Sequence, residues 1–343
     1  MSPSPTSARL RRTGGDRTAT PPGTSAPRPA VLLASEARGA PEVGLAAAPI
    51  DRTRVGRTST RVRQGTVRRA LRSAAGPLIG EVRLTGPEAL VEVWGPPSTD
   101  RAEVHAAHAA TVAWAGLADD TAGFAEACAQ HPVTRRLHRE LGDVVLPRLP
   151  SVGEALGRAV ISQLVQGVEA AGSIARLVER TGLPAPGGLR CWPDARSVGA
   201  EPPYALRRCG ISQRGAAALH AGALEEPRLR RAAARDVAEL ERRLRALPGV
   251  GAWTAAETRL ALGDPDAVSV GDYHLASVVG TALTGEQRRR EEWTDAEMLA
   301  LLEPFAGQRG RVIRLCELAA HKRLAPRQRR IAPRAPLSAH RYW

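Results

Sequence analysis

The chain is nearly without lysine. Lys322 is the only one, against 48 arginines in 343 residues, so chemistry that needs a lysine amine, a Schiff base above all, has almost nowhere to reside. The same bias, with abundant Ala, Gly and Pro, fits a GC-rich genome. Cysteine is also sparse. Cys128, Cys191, Cys209 and Cys316 stand far apart in sequence, without the close spacing of a zinc or iron–sulfur site, and read as reduced structural thiols. No run of about 18 apolar residues, the length of a membrane-spanning helix, is present. The N-terminus lacks the apolar core of a secretory signal. Its Arg, Ser and Thr faintly mimic an organelle transit peptide, but Pro and Gly break any amphipathic helix there.

What is present is positive charge, unevenly placed. The formal net charge is +14, with +10 in residues 1–80 and +9 in 307–343, leaving −5 for 81–306. The ends can attract phosphate without regard to sequence, whereas the middle has to bind any nucleic acid through local geometry. The length leaves room for two domains and a substantial core.

Residues 1–48 read as a disordered Arg/Pro/Ser-rich tail. A small α+β domain is expected over 49–128, its folded part starting between Pro49 and Leu78. Gly80–Thr85 and Ala89–Trp94 alternate on either side of Gly86-Pro87-Glu88, which predicts a hairpin. Helical patterns follow at 100–114, 121–130 and 133–141. Ser151-Val152-Gly153-Glu154 is a capping box; the helix it opens runs through Ala159, Val160, Leu164 and Val168 and can continue to Arg180. Weaker helices are expected at 203–209 and 213–224. A second capping box, Thr294-Asp295-Ala296-Glu297, leads to Leu302, and 310–324 is the last helix. The expected fold class is mainly α, with a helical domain over 129–325 and a basic tail over 326–343.

One stretch stands out. Val237, Leu240, Leu244 and Leu247 share a helical face, as do Trp253, Ala256 and Leu260 further on. Between them, Pro248-Gly249-Val250-Gly251 permits a tight turn. The product is a helix–hairpin–helix over 237–262 whose second helix begins with bare backbone N–H groups, an anion site. About twenty residues later comes a lone carboxylate, Asp272. On pattern alone, Asp272 is as good a cap for a helix at Tyr273–Leu283 as it is a catalyst. Trp253 is either a stacking surface or a buttress of the hairpin. Leu164 has a buried-helix reading of equal standing, though the Gln163 before it is awkward in a core. Tyr273 is a pocket or a packing residue, and His274 a structural or surface one. Arg309, Arg311 and Arg314 form a charge run that is either a solvated face or a DNA-backbone contact. Trp114, Trp192 and Trp293 read as core.

Ala159–Val165, Leu206–Gly215, the Leu247–Ala255 hairpin and Gly271-Asp272-Tyr273 together resemble the helix–hairpin–helix DNA glycosylase superfamily. The pattern is most similar to the AlkA-like 3-methyladenine DNA glycosylase II branch, across roughly Gly80 to Leu324. The resemblance implies two helical subdomains flanking a cleft, with a small N-terminal α+β domain. It also implies a monofunctional enzyme that flips alkylated bases from duplex DNA and hydrolyses the N-glycosidic bond in base excision repair. Asp272 would be catalytic, Trp253 and Tyr273 would line the base pocket, and Gln163 and Leu164 would wedge the base stack. The amides of Gly249, Gly251 and Ala252 would grip the DNA backbone, and the carbonyls of Arg245, Leu247 and Val250 would hold a monovalent cation. Trp253 occupies the place where lyase members carry lysine. Glu257, one turn on, replaces an aromatic of some relatives, a departure that touches the substrate range. No catalytic metal and no iron–sulfur cluster are expected. The partner would be double-stranded DNA with damaged bases, met by a monomer without membrane attachment in a bacterial cytoplasm, associated with the nucleoid. Two other readings remain: the same fold acting on oxidised or mismatched bases, and a non-catalytic module that binds DNA lesions.

Overall fold

Alternating segments at the front of the chain build one antiparallel sheet. The computed structural model describes residues 31–39, 60–63, 66–85 and 88–326. Its strands are β1 (Val31–Gly39), β2 (Thr60–Arg63), β3 (Thr66–Ser73), β4 (Gly76–Thr85) and β5 (Glu88–Gly95), in the order β1-β5-β4-β3-β2. Helices α1 (Arg101–Trp114), α2 (Phe124–Ala129), α3 (Pro132–Leu141), α4 (Val152–Ile161) and α5 (Gly167–Thr181) follow. A two-stranded ribbon, β6 (Pro184–Ala185) with β7 (Leu189–Arg190), leads to α6 (Ala195–Gly199), α7 (Pro203–Arg208) and α8 (Gln213–Ala233). The chain then runs through α9 (Val237–Arg245), α10 (Ala252–Ala261), α11 (Leu275–Thr284), α12 (Asp295–Leu302) and α13 (Arg309–Lys322).

Period-two alternation decides what covers each face of the sheet. Leu71, Leu78 and Val93 pack on Ala107 of α1, and Val82 and Val91 on Val112. Ala70 and Ile79 point the other way, onto Ala185, Leu189 and Cys191 at the ribbon. The expected hairpin is β4–β5, although Gly86 and Pro87 lie outside the described residues.

The expected 1–48 tail needs correction, because β1 lies within it. β1 pairs with β5 from Val31 opposite Gly95 to Gly39 opposite Glu88, so the fold begins ahead of Pro49. Val-Leu-Leu-Ala-Ser-Glu-Ala-Arg-Gly shows no clean alternation; its strand state comes from the free edge that β5 offers, a tertiary cause. The rest of that tail, and the basic tail from 327 on, lie outside the described residues.

The helices bury two separate apolar clusters. One joins α4, α5, α8, α9 and α10 through Leu156, Val160, Leu177, Leu219, Leu244 and Ala255. The other joins α2, α3, α11, α12 and α13 through Phe124, Leu137, Val279, Met298, Val312 and Cys316. The helices just after the sheet thus pack with the end of the chain. A domain boundary at 128 would cut α2, whose Phe124 and Cys128 belong to the second cluster. This is a mainly α architecture with an antiparallel sheet in front. Among the described residues, no helix is long and apolar enough to cross a membrane.

One continuous helix from Ser151 to Arg180 does not form. α4 stops at Ile161, and α5 starts afresh with a capping box between Gln166 and Glu169. The capping box expected at Ser151 is only half made. Ser151 Oγ accepts the Glu154 N–H at 3.1 Å, but the Glu154 carboxylate is drawn away to Arg158 Nε at 2.8 Å and to Arg69 of β3. The Arg69–Glu154 pair is buried, with Arg69 lying 5.5 Å from the Trp114 ring centroid, and it ties the sheet to the first helical cluster.

Removing one partner of such a pair leaves a bare buried charge. Glu154→Gln is expected to cost about 3–5 kcal/mol of stability. Arg69→Met combined with Glu154→Leu is expected to recover most of that loss, as read from urea midpoints.

Candidate active site

The hairpin forms because each of its helices is anchored separately. Asp236 caps α9, its carboxylate accepting the N–H groups of Ala238 and Glu239 at 3.0 and 3.2 Å. Leu240 and Leu244 bury, while Val237, expected on the same face, is exposed at the helix start. In the turn, Gly249 takes φ +74°, where a side chain would strain the backbone, and the Val250 N–H reaches Leu247 O at 3.2 Å. Gly251 differs: its φ is −93° and open space surrounds it. Its use is that no side chain caps α10, so the N–H groups at that helix start stay uncovered, with Gly251 and Ala252 exposed.

Gln163 links the end of α4 to the hairpin. Its amide nitrogen donates to Gly249 O at 2.9 Å and to Thr254 Oγ1 at 2.7 Å, clamping the end of α4 to both sides of the hairpin turn. In this arrangement Gln163 braces the turn. Leu164, next in sequence, takes the opposite course. It is 81% exposed and sits at φ +55°, a left-handed conformation that costs a leucine about 1–2 kcal/mol. A core leucine is neither exposed nor strained in this way. Val168, at the start of α5, is exposed as well.

Asp272 sits where the two helical clusters meet. Gly271 before it has φ +83°, and its N–H donates to Asp295 Oδ2 of α12 at 2.9 Å. Asp272 Oδ1 accepts the N–H groups of His274 and Leu275 at 2.7 and 3.1 Å, so it does cap α11. Asp272 Oδ2 accepts the indole N–H of Trp253 at 2.9 Å. Trp253 belongs to α10 on the first cluster, and Asp272 leads into α11 on the second. The bond therefore crosses between them. Three donors hold the half-buried carboxylate in one orientation; Oδ1 is filled by its two N–H donors, and Oδ2 keeps a further lone pair for a ligand.

Tyr273, next to Asp272 in the chain, lies at the surface. It is 65% exposed, with the Arg290 guanidinium 3.5 Å from its ring centroid and His274 edge-on. The arginine run also separates. Arg309 is committed to Asp266, its Nε 2.8 Å from Oδ1. Arg311 is buried against Asp119 and Val144 O and is structural. Arg314 alone joins the site, 2.5 Å from Glu317 Oε2 and 3.9 Å from Glu257 Oε1. Burial works to lower the Arg314 pKa, but Glu317, Glu257 and Asp272 together carry it above the ordinary arginine value.

Glu257 was visible in the sequence only as a departure. It lies one turn after Trp253 on α10 and accepts the Ser269 hydroxyl. Burial pushes its carboxyl above the usual range, with Asp272 and Glu317 adding to the rise and Arg314 and Ser269 opposing it. The cysteines are inert by comparison: burial pushes Cys128 up to about 12 and Cys191 up to about 11. Trp114 and Trp293 are core, and Trp192 is half-buried under Arg158. Lys322 is exposed at the end of α13.

The fold is similar to that of solved DNA glycosylases. A 3-methyladenine DNA glycosylase from Archaeoglobus fulgidus superposes with a TM-score of 0.63 at 23% identity, over 77% of this chain and 89% of that one. An 8-oxoguanine glycosylase/lyase from Clostridium acetobutylicum, in its apo form, gives 0.53 at 12% identity, over 76% of this chain and 97% of that one. The same enzyme with double-stranded DNA containing cytosine opposite 8-oxoguanine gives 0.53 at 13%, over 77% and 98%. No protein-family model matches the sequence, and no curated protein does.

Leu164→Asn is expected to hold or raise the melting temperature, since asparagine accepts the left-handed backbone and an exposed leucine contributes little packing. Differential scanning calorimetry reads this, and a clear fall in Tm would show Leu164 to be a packing residue.

Proposed function

We propose that the protein is a monofunctional DNA glycosylase that removes alkylated bases of the 3-methyladenine type from duplex DNA. The observation that carries this reading is the Trp253–Asp272 bond. It presents an oriented carboxylate where the helical clusters meet, near an uncapped helix start and an exposed, strained leucine. In the proposed reaction the C1′–N bond breaks and its electron pair leaves with the base. Positive charge develops on the sugar, where the Asp272 carboxylate stabilises it. Water then adds to C1′, passing its proton to Asp272 or onward to solvent.

Leu164 would enter the stack as the base swings out, offsetting an unstacking cost of a few kcal/mol. Trp253 would flank the extruded base, a role that keeps its N–H on Asp272, and Tyr273 would stand at the mouth of the pocket. The N–H groups of Gly249, Gly251 and Ala252 would hold the DNA backbone. The carbonyls of Arg245, Leu247 and Val250 suit a monovalent cation, since Leu247 O, which accepts the Val250 N–H, keeps a second lone pair. The remaining features of this reading are a monomer, no iron–sulfur cluster, and work on genomic DNA in a bacterial cytoplasm.

The absence of lysine from the hairpin supports hydrolysis without a lyase step. Likeness to the 8-oxoguanine glycosylase/lyase supports a second reading, oxidised bases as substrate. A panel of duplexes carrying alkylated, oxidised or mismatched bases separates these readings. The protein is expected to release 3-methyladenine, and Asp272→Asn to slow release at least about 100-fold while DNA affinity stays within a few-fold. Equal release by both proteins would remove Asp272 from the chemistry. Borohydride is expected to trap no covalent adduct. Tight binding with no release from any lesion would make the protein a lesion-binding module.

A further inference from the structure

Glu257 is an odd residue to place on α10. A carboxylate partly withdrawn from water lowers stability unless its charge is answered, and here the answer is shared. Its Oε1 takes the Ser269 hydroxyl and lies 3.9 Å from Arg314. Arg314 is shared: it is closer to Glu317, at 2.5 Å, and also feels Asp272. Three carboxylates, on α10, ahead of α11 and on α13, thus face one guanidinium. No described residue donates a hydrogen bond to Glu257 Oε2. The site is locally anionic, and one acceptor oxygen is left over.

Such a field repels phosphate and draws in a cation. N-alkylation at a ring nitrogen gives a purine nucleotide that charge, and the charge sits on the base, apart from the backbone. We propose that Glu257 is the specificity-determining residue of this site, its unshared oxygen selecting cationic N-alkylated purines over neutral ones. The inference rests on the base-excision reading. An ionised carboxylate only accepts hydrogen bonds, so it also favours amino or N–H edges over carbonyl edges.

The selection acts in binding. A cationic base becomes neutral as the glycosidic bond breaks, while the sugar gains the charge. Glu257 therefore stabilises the bound substrate at least as much as the transition state, and Asp272 stabilises the sugar. Glu257 has to be ionised to act. Burial, Asp272 and Glu317 raise its pKa against Arg314 and Ser269, so the preference grows as pH rises through that elevated value.

The test compares duplexes holding one 7-methylguanine, cationic, or one hypoxanthine, neutral. In Glu257→Gln, the preference for the cationic base, as the ratio of half-saturating DNA concentrations, is expected to fall about tenfold and lose its pH dependence. Glu257→Asp is expected to restore part of it. A structural role would shift both substrates together. An unchanged ratio, or equal shifts, overturns the proposal. The same ratio is measured by equilibrium binding with Asp272→Asn and Asp272→Asn/Glu257→Gln. Wild type that releases neither of these bases nor any lesion of the panel, 3-methyladenine included, defeats the base-excision reading, while the binding ratio still decides for or against Glu257.

Discussion

One hydrogen bond organises this molecule: the indole N–H of Trp253 on Asp272 Oδ2. Each residue is supplied by a different helical cluster, so the position of the carboxylate depends on how the two pack. Backbone N–H groups at the start of α11 hold the other oxygen. Capping and catalysis, rivals in the sequence, are compatible once the two oxygens are told apart. Oδ1 fixes the residue to its own helix, and Oδ2 fixes it to the other cluster. The sheet, the Arg69–Glu154 pair and both apolar clusters serve to hold α10 and α11 in register.

The same logic extends along the hairpin. Gln163 binds Gly249 O and Thr254 Oγ1, so the segment bearing Leu164 cannot move independently of the turn that exposes the α10 N–H groups. Leu164 is displayed at the cost of a left-handed backbone, and nothing in the apolar clusters benefits from that cost. Strain of this kind persists where the surroundings over-determine it and where function uses it. Gln163, one residue before, provides the over-determination.

Much of this was legible in the sequence because it depends on local chemistry. The Pro-Gly-Val-Gly turn, the β4–β5 hairpin and the Thr294 capping box are written in residues close to one another. The rest depended on contacts that no local pattern encodes. β1 is a strand because β5 has a free edge, and Glu154 leaves its cap because Arg69, 85 residues away, is buried beside it. Gln163 looked like a DNA-facing residue for the right reason, a polar side chain in an apolar helix. The partner it finds in the structure is the hairpin. The arginine run misled through proximity: a helix turns its residues to different sides, so Arg309, Arg311 and Arg314 meet three different environments.

Under the proposed function, charge accounts for how a folded middle of net −5 would approach DNA. The strongly basic segments lie at the two ends of the chain, while the acids of the site gather around Arg314. A contact surface built from backbone N–H groups and an apolar wedge needs few arginines of its own, because helix starts bring partial positive charge without side chains. The interior of the site can then be anionic without repelling the duplex as a whole, since screening at physiological salt confines its field to about 8 Å. On that reading, attraction over distance and selection at the base would fall to different parts of the chain. In the proposed reaction Asp272, beside the sugar, and Glu257, one turn from Trp253, would work at the short range, where a carboxylate acts through its orientation as well as its charge.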